Sequence, residues 1–310
     1  MNGLELSRKY FEEYGLPMLE ERFPDILPVI AVGLCGSGSE CFEYDDETSR
    51  DHDFEPGFCV FLPDESVVDR QTAFRLERAY SSLPDEYLGF RRENISPAGG
   101  ARRGVIRASD FFESRTGTAD GRLTPAGFLA IPEHFLAETV NGEIWKDDCG
   151  IMTDVRERLL YYPEDARLKR LAGNLFLASQ SGQYNYQRCL ERGETAAAGI
   201  AAAKFALYAA SAFHLIRKKY MPYYKWAFRS LRELGLPGDA PRLIEEIASG
   251  ELNGSPELAD AIESVCSEIC RFLATDCLSQ AETPEKCAYE INGLIRDNSL
   301  RNANILFGVS

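Results

Sequence analysis

Apolar residues fall in short runs over the first half of the chain and in long helical rows over the second. "ILPVIAVGLC" (Ile26 to Cys35) is continuous enough for a buried strand, interrupted early by Pro28. "DFEPGFCVFL" (Asp53 to Leu62) reads as a second strand, with a bulge or kink at Pro56-Gly57. From Val67 to Leu83 the apolar spacing becomes helical. "RGVIRAS" (Arg103 to Ser109) predicts a third strand, and "NGEIW" (Asn141 to Trp145) a fourth, introduced by an Asn-Gly turn signal.

After Thr153 the pattern is helical throughout. "TDVRERLLYY" opens with Thr as a cap and an acidic first turn. Pro163 restarts a helix at "PEDARLKRLAGNLFLAS", and an Ala-rich row follows from Thr195 to Ile216. "YYKWAFRSLREL" is stopped by Gly235 and Pro237. "SPELADAIESVCSEICRFLATDCL" and "TPEKCAYEINGLIRDNSLRNANILF" each begin with Ser or Thr, Pro and Glu. The hydroxyl caps, the ring suits the first helical position, and the acid complements the dipole. The pattern predicts an α/β head, residues 1–150, fused to a helical bundle, residues 151–310.

Composition narrows the functional classes. The 310 residues are 45% hydrophobic and 27% charged, as expected of a soluble globular protein. A formal net charge of -15 argues against general nucleic-acid binding, which needs a basic footprint. The Ala-rich row is nearly long enough to span a membrane, but Ala dominates it and Lys204 interrupts it, so a buried core helix is expected. "MNGLELSRKYFEEYG" lacks an apolar signal core, and a cytoplasmic location with no membrane partner is expected. The nine Cys form no C-x-x-C pair, and no His lies near Cys266 and Cys270 to complete a zinc site. They read as reduced core residues.

The candidate chemistry sits between Gly33 and Pro63. Gly36-Ser37-Gly38-Ser39 follows the first strand and is expected to open a short helix at "ECFEY". Backbone N–H groups at such a turn can cradle phosphate; Gly allows close approach, and a Ser hydroxyl adds a donor. Asp51 and Asp53 share one face of a strand because successive side chains alternate, and His52 points away. Two carboxylates beside a phosphate cradle suit Mg²⁺ or Mn²⁺ carrying a nucleoside triphosphate. Asp45, Asp46 and Glu47 read as a solvated loop. In the tail, "QYNYQR" and "KKYMPYYKW" concentrate Tyr184, Asn185, Arg188, Tyr220, Tyr223, Lys225 and Trp226. The aromatics as a set fit core packing better than a cleft, whereas Lys225 suits neutralisation of a triphosphate.

The order Gly36-Ser37, a spacer, then Asp51-His52-Asp53-Phe54 resembles the nucleotidyltransferase superfamily that includes DNA polymerase beta. "SGQYNYQRCLERGE", the Ala-rich row and "KKYMPYYKWAFRSL" look like the helical domain of aminoglycoside and related small-molecule nucleotidyltransferases. The whole chain resembles the bacterial family called domain of unknown function 4037, which joins such a head to such a tail. The resemblance implies an α+β head, with a mixed sheet flanked by helices, and an all-α tail closing over nucleotide and acceptor. It implies that Gly36, Ser37 and nearby backbone bind the β- and γ-phosphates and that Asp51 and Asp53 hold one or two Mg²⁺. Arg50 either touches phosphate or lies on the surface; Tyr184, Arg188 and Lys225 would contact the nucleotide. An acceptor hydroxyl on a small molecule or protein would then take a nucleoside monophosphate, AMP if the substrate is ATP.

The family pattern also expects a third carboxylate on a later strand, near Ile106, and no acid lies there. Asp110 is the nearest candidate, although Ser109-Asp110 also fits a helix cap; Glu143 and Asp147 stand on the next strand. Without a third acid, nucleotide binding can survive while transfer is lost. A regulator that binds nucleotide, or an antitoxin-like interaction protein using the helical tail, is therefore the alternative reading.

Overall fold

The computed structural model describes residues 1–47, 54–92, 103–252 and 256–309. Along the chain the regular elements are α1 (Gly3–Tyr10), α2 (Leu16–Arg22), β1 (Ala31–Leu34), β2 (Cys59–Leu62), α3 (Arg70–Ser81), β3 (Glu86–Tyr87), β4 (Phe90–Arg91), β5 (Gly104–Arg107), α4 (Ala108–Thr116), α5 (Pro125–Ala130), α6 (Glu133–Val140), β6 (Glu143–Asp147) and α7 (Thr153–Leu159). Then come α8 (Glu164–Ala178), α9 (Gln187–Glu191), α10 (Thr195–Ile216), α11 (Tyr224–Glu233), α12 (Ala240–Ser249), α13 (Pro256–Thr275), α14 (Pro284–Gly293) and α15 (Asn298–Asn302). The chain divides into two compact units, Met1–Arg122 with Phe135–Leu160, and Leu123–His134 with Tyr161–Ser310. The division thus falls about ten residues after the expected boundary, and residues 123–134 count with the helical unit.

The first unit holds a four-stranded sheet in the order β5–β2–β1–β6. β1 runs antiparallel to β2 and β6, and β2 runs parallel to β5, so the sheet is mixed. The two central strands are buried at every position, which is why they read as unbroken apolar runs. Pro28 lies in a 3₁₀ turn, Leu27–Val29, ahead of the strand. Its ring lacks a ladder donor, so β1 begins at Ala31. Pro56-Gly57 likewise precedes β2 and does not bulge it. The irregularity lies in β1 against β6, between Val32 and Gly33. A Cβ at Gly33 would stand 2.3 Å from the Glu143 carbonyl oxygen, so only glycine permits this approach.

Helix α3 starts at Arg70 and not at Val67, because the Asp69 carboxylate accepts the Thr72 N–H at 2.7 Å and caps it. Its inner face buries Leu76, Ala79 and Tyr80 against a core that includes Tyr10, Phe11, Phe58 and Val60. Tyr80 Oη accepts the Phe58 N–H at 3.0 Å and donates to the Phe58 carbonyl at 2.9 Å, fixing the approach to β2. Trp145 packs against this core, its ring stacked 5.7 Å from Phe11. The expected Thr153 cap is replaced. Asp147 accepts the N–H groups of Ile151, Met152 and Thr153 at 2.9, 3.0 and 2.7 Å, and Thr153 sits inside the first turn.

In the second unit the Ala-rich row is helix α10, 22 residues long. Length and apolarity would let it cross a membrane, but Ala202, Phe205, Ala209 and Phe213 are buried against α8, α12 and α13. Thr283 caps α14 as expected, accepting the Lys286 N–H. Ser255, the matching cap of α13, lies outside the described residues. The aromatics divide: Tyr186 and Tyr220 are buried, whereas Tyr184, Tyr223 and Tyr224 are exposed, so core packing does not hold for the set. All nine cysteines are free; six are buried, Cys189 is half-buried, and Cys149 and Cys277 are exposed.

Candidate functional site

The turn after β1 has the form its sequence requires. Gly36 takes φ +111°, a left-handed conformation that a side chain disfavours. A Cβ there would also lie 2.9 Å from Nη2 of Arg115. The expected short helix follows as a 3₁₀ turn, Glu40–Phe42. Gly36 itself is not an open anion donor. Its N–H donates to Asn141 Oδ1 at 2.8 Å, and its carbonyl accepts from Asn141 Nδ2 at 2.8 Å. Among the described residues, the N–H groups of Ser37 and Gly38 meet no backbone acceptor, and the half-buried Ser37 hydroxyl takes no partner. The open donors therefore begin at Ser37, one residue later than expected.

Two arginines flank this turn. Arg115 lies with its guanidinium 4.1 Å above the Phe111 ring and pairs with Glu138 at 3.3 Å. Arg156 donates through Nη2 to the carbonyls of Val140 and Asn141 at 2.8 and 2.9 Å, while its buried Nη1 has no partner. Burial pushes the Cys35 thiol up to about 11 despite the pull of Arg156 and Arg115, so it is neutral at physiological pH. These cations stand on α4 and α7, far from the turn in sequence. No local signal marks them, and the sequence reading missed both.

Beneath the turn lies a buried carboxylate–guanidinium cluster. Glu40 and Arg103 are 3% and 7% exposed. Arg103 pairs with Glu40 at 3.1 Å and with Glu55 at 2.8 Å. The Glu40 carboxylate folds back toward Gly38, where a Cβ would approach it to 2.6 Å. Asp45 is corrected from solvated loop to anchor: half-buried, it accepts the Gly3 N–H at 2.8 Å at the start of α1. Asp46 and Glu47 are exposed.

Asp51, Asp53 and Arg50 lie outside the described residues. The strand register nevertheless says what surrounds the start of β2. β2 and β5 run parallel from Cys59–Gly104 to Leu62–Arg107, so Gly104 pairs with the first residue of β2, and Arg103 just before it is paired with Glu40 and Glu55. Ile106 pairs with Phe61. Asp110 lies past the opposite end of β5, exposed in the first turn of α4. It is not a cap, because α4 already begins at Ala108. Glu143 accepts from Trp145 Nε1 at 2.8 Å, and Asp147 caps α7. Among the described residues, no group of three His, Cys, Asp or Glu is placed to hold a metal.

In the helical unit the structure brings Tyr184 and Arg188 together: the guanidinium lies 4.6 Å over the ring and donates to the phenol oxygen. Lys225 is exposed, with Nζ 5.1 Å above the Trp226 ring.

Residues 128–227 match DUF4037, a domain of unknown function. The chain is also similar to a nucleotidyltransferase-like protein from Exiguobacterium sibiricum 255-15, whose crystal structure it matches over 89% of its own length and 79% of the other chain. The identity is 11% and the TM-score 0.38. No curated protein matches the chain.

Proposed function

We propose that this protein is a nucleotidyltransferase that moves a nucleoside monophosphate from a nucleoside triphosphate, ATP by preference, to a hydroxyl on a small molecule or protein. The observation that carries the reading is the turn after β1, where the Ser37 and Gly38 amides meet no backbone acceptor among the described residues and Gly36 lies beside Arg115. Such a concavity of N–H groups near fixed positive charge suits the β- and γ-phosphates. The spacing of this turn from Asp51 and Asp53 agrees with the family signature. Asp51 and Asp53 would hold Mg²⁺ or Mn²⁺, which when bound polarises the α-phosphate and stabilises the pyrophosphate leaving group. Ser37 would donate to a phosphate oxygen, and Arg115 would offset the triphosphate charge. Arg50 is a further proposed nucleotide contact.

The test is calorimetric titration of ATP with Mg²⁺ into the wild type and into Asp51→Asn/Asp53→Asn. Metal-dependent binding that weakens at least about tenfold in the variant supports the assignment; equal binding in both refutes it. One observation favours a second reading, a protein that binds nucleotide without transferring it. Ile106, where the family pattern expects an acid, is apolar and pairs with Phe61, and Glu143 and Asp147 are engaged elsewhere. Release of pyrophosphate from ATP with any acceptor would exclude that reading.

A further inference from the structure

The helical unit contains a cavity of about 490 Å³ that the proposed nucleotide chemistry does not use. This volume lies within the range of small-molecule sites. Its wall is largely aromatic and apolar, with Tyr208 from α10 and Met221, Tyr223 and Tyr224 from the segment entering α11. The Tyr223 and Tyr224 rings are 4.4 Å apart, and His134 meets Tyr223 edge-on at 5.4 Å.

One acidic side chain, Glu133, lines this wall, and it is only 7% exposed. Its Oε2 accepts from Ser211 Oγ at 3.2 Å, while Oε1 is buried without a partner. The natural counter-charge, Arg170, also lines the cavity; its two terminal nitrogens are committed elsewhere, and its buried Nε has no partner. Its Nη1 donates to Tyr162 Oη at 2.6 Å, and its Nη2 donates to the carbonyls of Leu129 and Ile131 at 2.9 Å each. No ion pair joins Arg170 to Glu133 within 4 Å among the described residues. Burial consequently pushes the Glu133 carboxyl up to about 7, against the opposing pull of Arg170, the Met221 amide and Ser211. Asn174 also lines the cavity; one Nδ2 N–H donates to the Arg170 carbonyl at 2.9 Å, and its Oδ1 is a second acceptor. Lys204 stands at the exposed rim, where water screens its charge.

An under-compensated buried carboxylate, an amide acceptor and a tyrosine wall share one ligand preference. A protonated amine supplies the missing donor and positive charge, and aromatic faces attract a cation. We propose that this cavity binds a small organic monoamine, with its ammonium group against Glu133 and its organic body on Tyr208, Tyr223 and Tyr224. The site lies wholly in the helical unit and does not depend on the nucleotidyl-transfer reading.

The test is calorimetric titration of the full chain, without nucleotide, by three probes of one shape: benzylamine, benzyl alcohol and benzoate. Saturable benzylamine binding, at least about tenfold tighter than either of the others, is expected. Glu133→Gln keeps an acceptor for Ser211 and removes the charge. It should weaken benzylamine at least about tenfold and leave benzyl alcohol unchanged. The proposal is overturned if benzyl alcohol or benzoate binds as well as benzylamine. It is also overturned if a folded Glu133→Gln protein binds benzylamine unchanged, or if benzylamine, phenethylamine and tyramine all fail to saturate by about 10 mM, beyond the millimolar affinity of the weakest specific sites. The three-probe comparison needs no variant, so a failure of Glu133→Gln to fold leaves the proposal exposed to refutation.

Discussion

Asn141 holds Gly36 in both directions, accepting its N–H and donating to its carbonyl at 2.8 Å each, across 105 residues of chain. The side-chain amide completes the turn as a neighbouring strand would. Gly36 is buried, so neither group can turn to water instead. Asn141→Leu should therefore destabilise the protein by about 2–4 kcal/mol, the cost of two unsatisfied buried groups, read from urea unfolding. Asn141→Asp keeps the acceptor and loses the donor, and should cost roughly half as much. Equal stability of Asn141→Leu and wild type would show that the clamp contributes nothing.

Arg103 links two carboxylates that cannot be left alone in the interior. Arg103→Met should destabilise by about 3–5 kcal/mol, because buried Glu40 keeps its charge and loses this ion pair. Adding Glu40→Gln should recover part of that loss. A double-mutant cycle in urea measures the recovery, and strict additivity would contradict the pairing.

Two buried groups of the helical unit titrate in opposite senses. Burial lowers His214 to about 4, although its hydrogen bond to the Ala210 carbonyl opposes the shift. Its stabilising contribution is complete above its ordinary value of about 6.5 and is lost as pH falls toward 4. Glu133, raised to about 7, contributes most below its ordinary 4.5 and loses that contribution as pH rises through 7. Each slope is at most about 1.4 kcal/mol per pH unit, so between about pH 4.5 and 6.5 they offset each other. Glu133→Gln should unmask a stability that rises across this window, and His214→Gln one that falls. Urea midpoints at half-unit pH intervals test both, and parallel profiles for the two variants would refute the assignment.

Thiol reactivity follows exposure. Cys149 and Cys277 are exposed, Cys189 is half-buried, and six cysteines are buried. Ellman's reagent should modify Cys149 and Cys277 promptly, Cys189 more slowly, and the remainder only in denaturant. Mass mapping of the first modified peptides checks the order. Prompt modification of Cys35 or Cys59 would contradict the packing around the β1 turn.

The sequence exposes what is local. The two central strands appear as apolar runs, and the Thr283-Pro284-Glu285 start of α14 is visible as a cap because both partners lie within one turn. Where the partner is distant, local pattern misleads. Thr153 looks like a cap, yet Asp147 reaches over six positions and takes the first-turn amides. Asp45 looks solvated, yet it anchors Gly3. Arg115 and Arg156 look like ordinary helical surface residues, because nothing in their spacing tells of the turn they flank. Gly36 and Ser37 were legible as a turn, but the clamp that makes Ser37 the first open donor was not.

The place of β6 carries a consequence for biogenesis. β1 meets β2 on one side within a short stretch of chain, but its other side closes only with β6, after residue 143. A nascent chain emerging from the ribosome would carry this apolar strand with one edge unpaired through more than a hundred further residues. Nascent chains halted before residue 143 should accordingly depend on chaperones or aggregate, and those released beyond β6 should not.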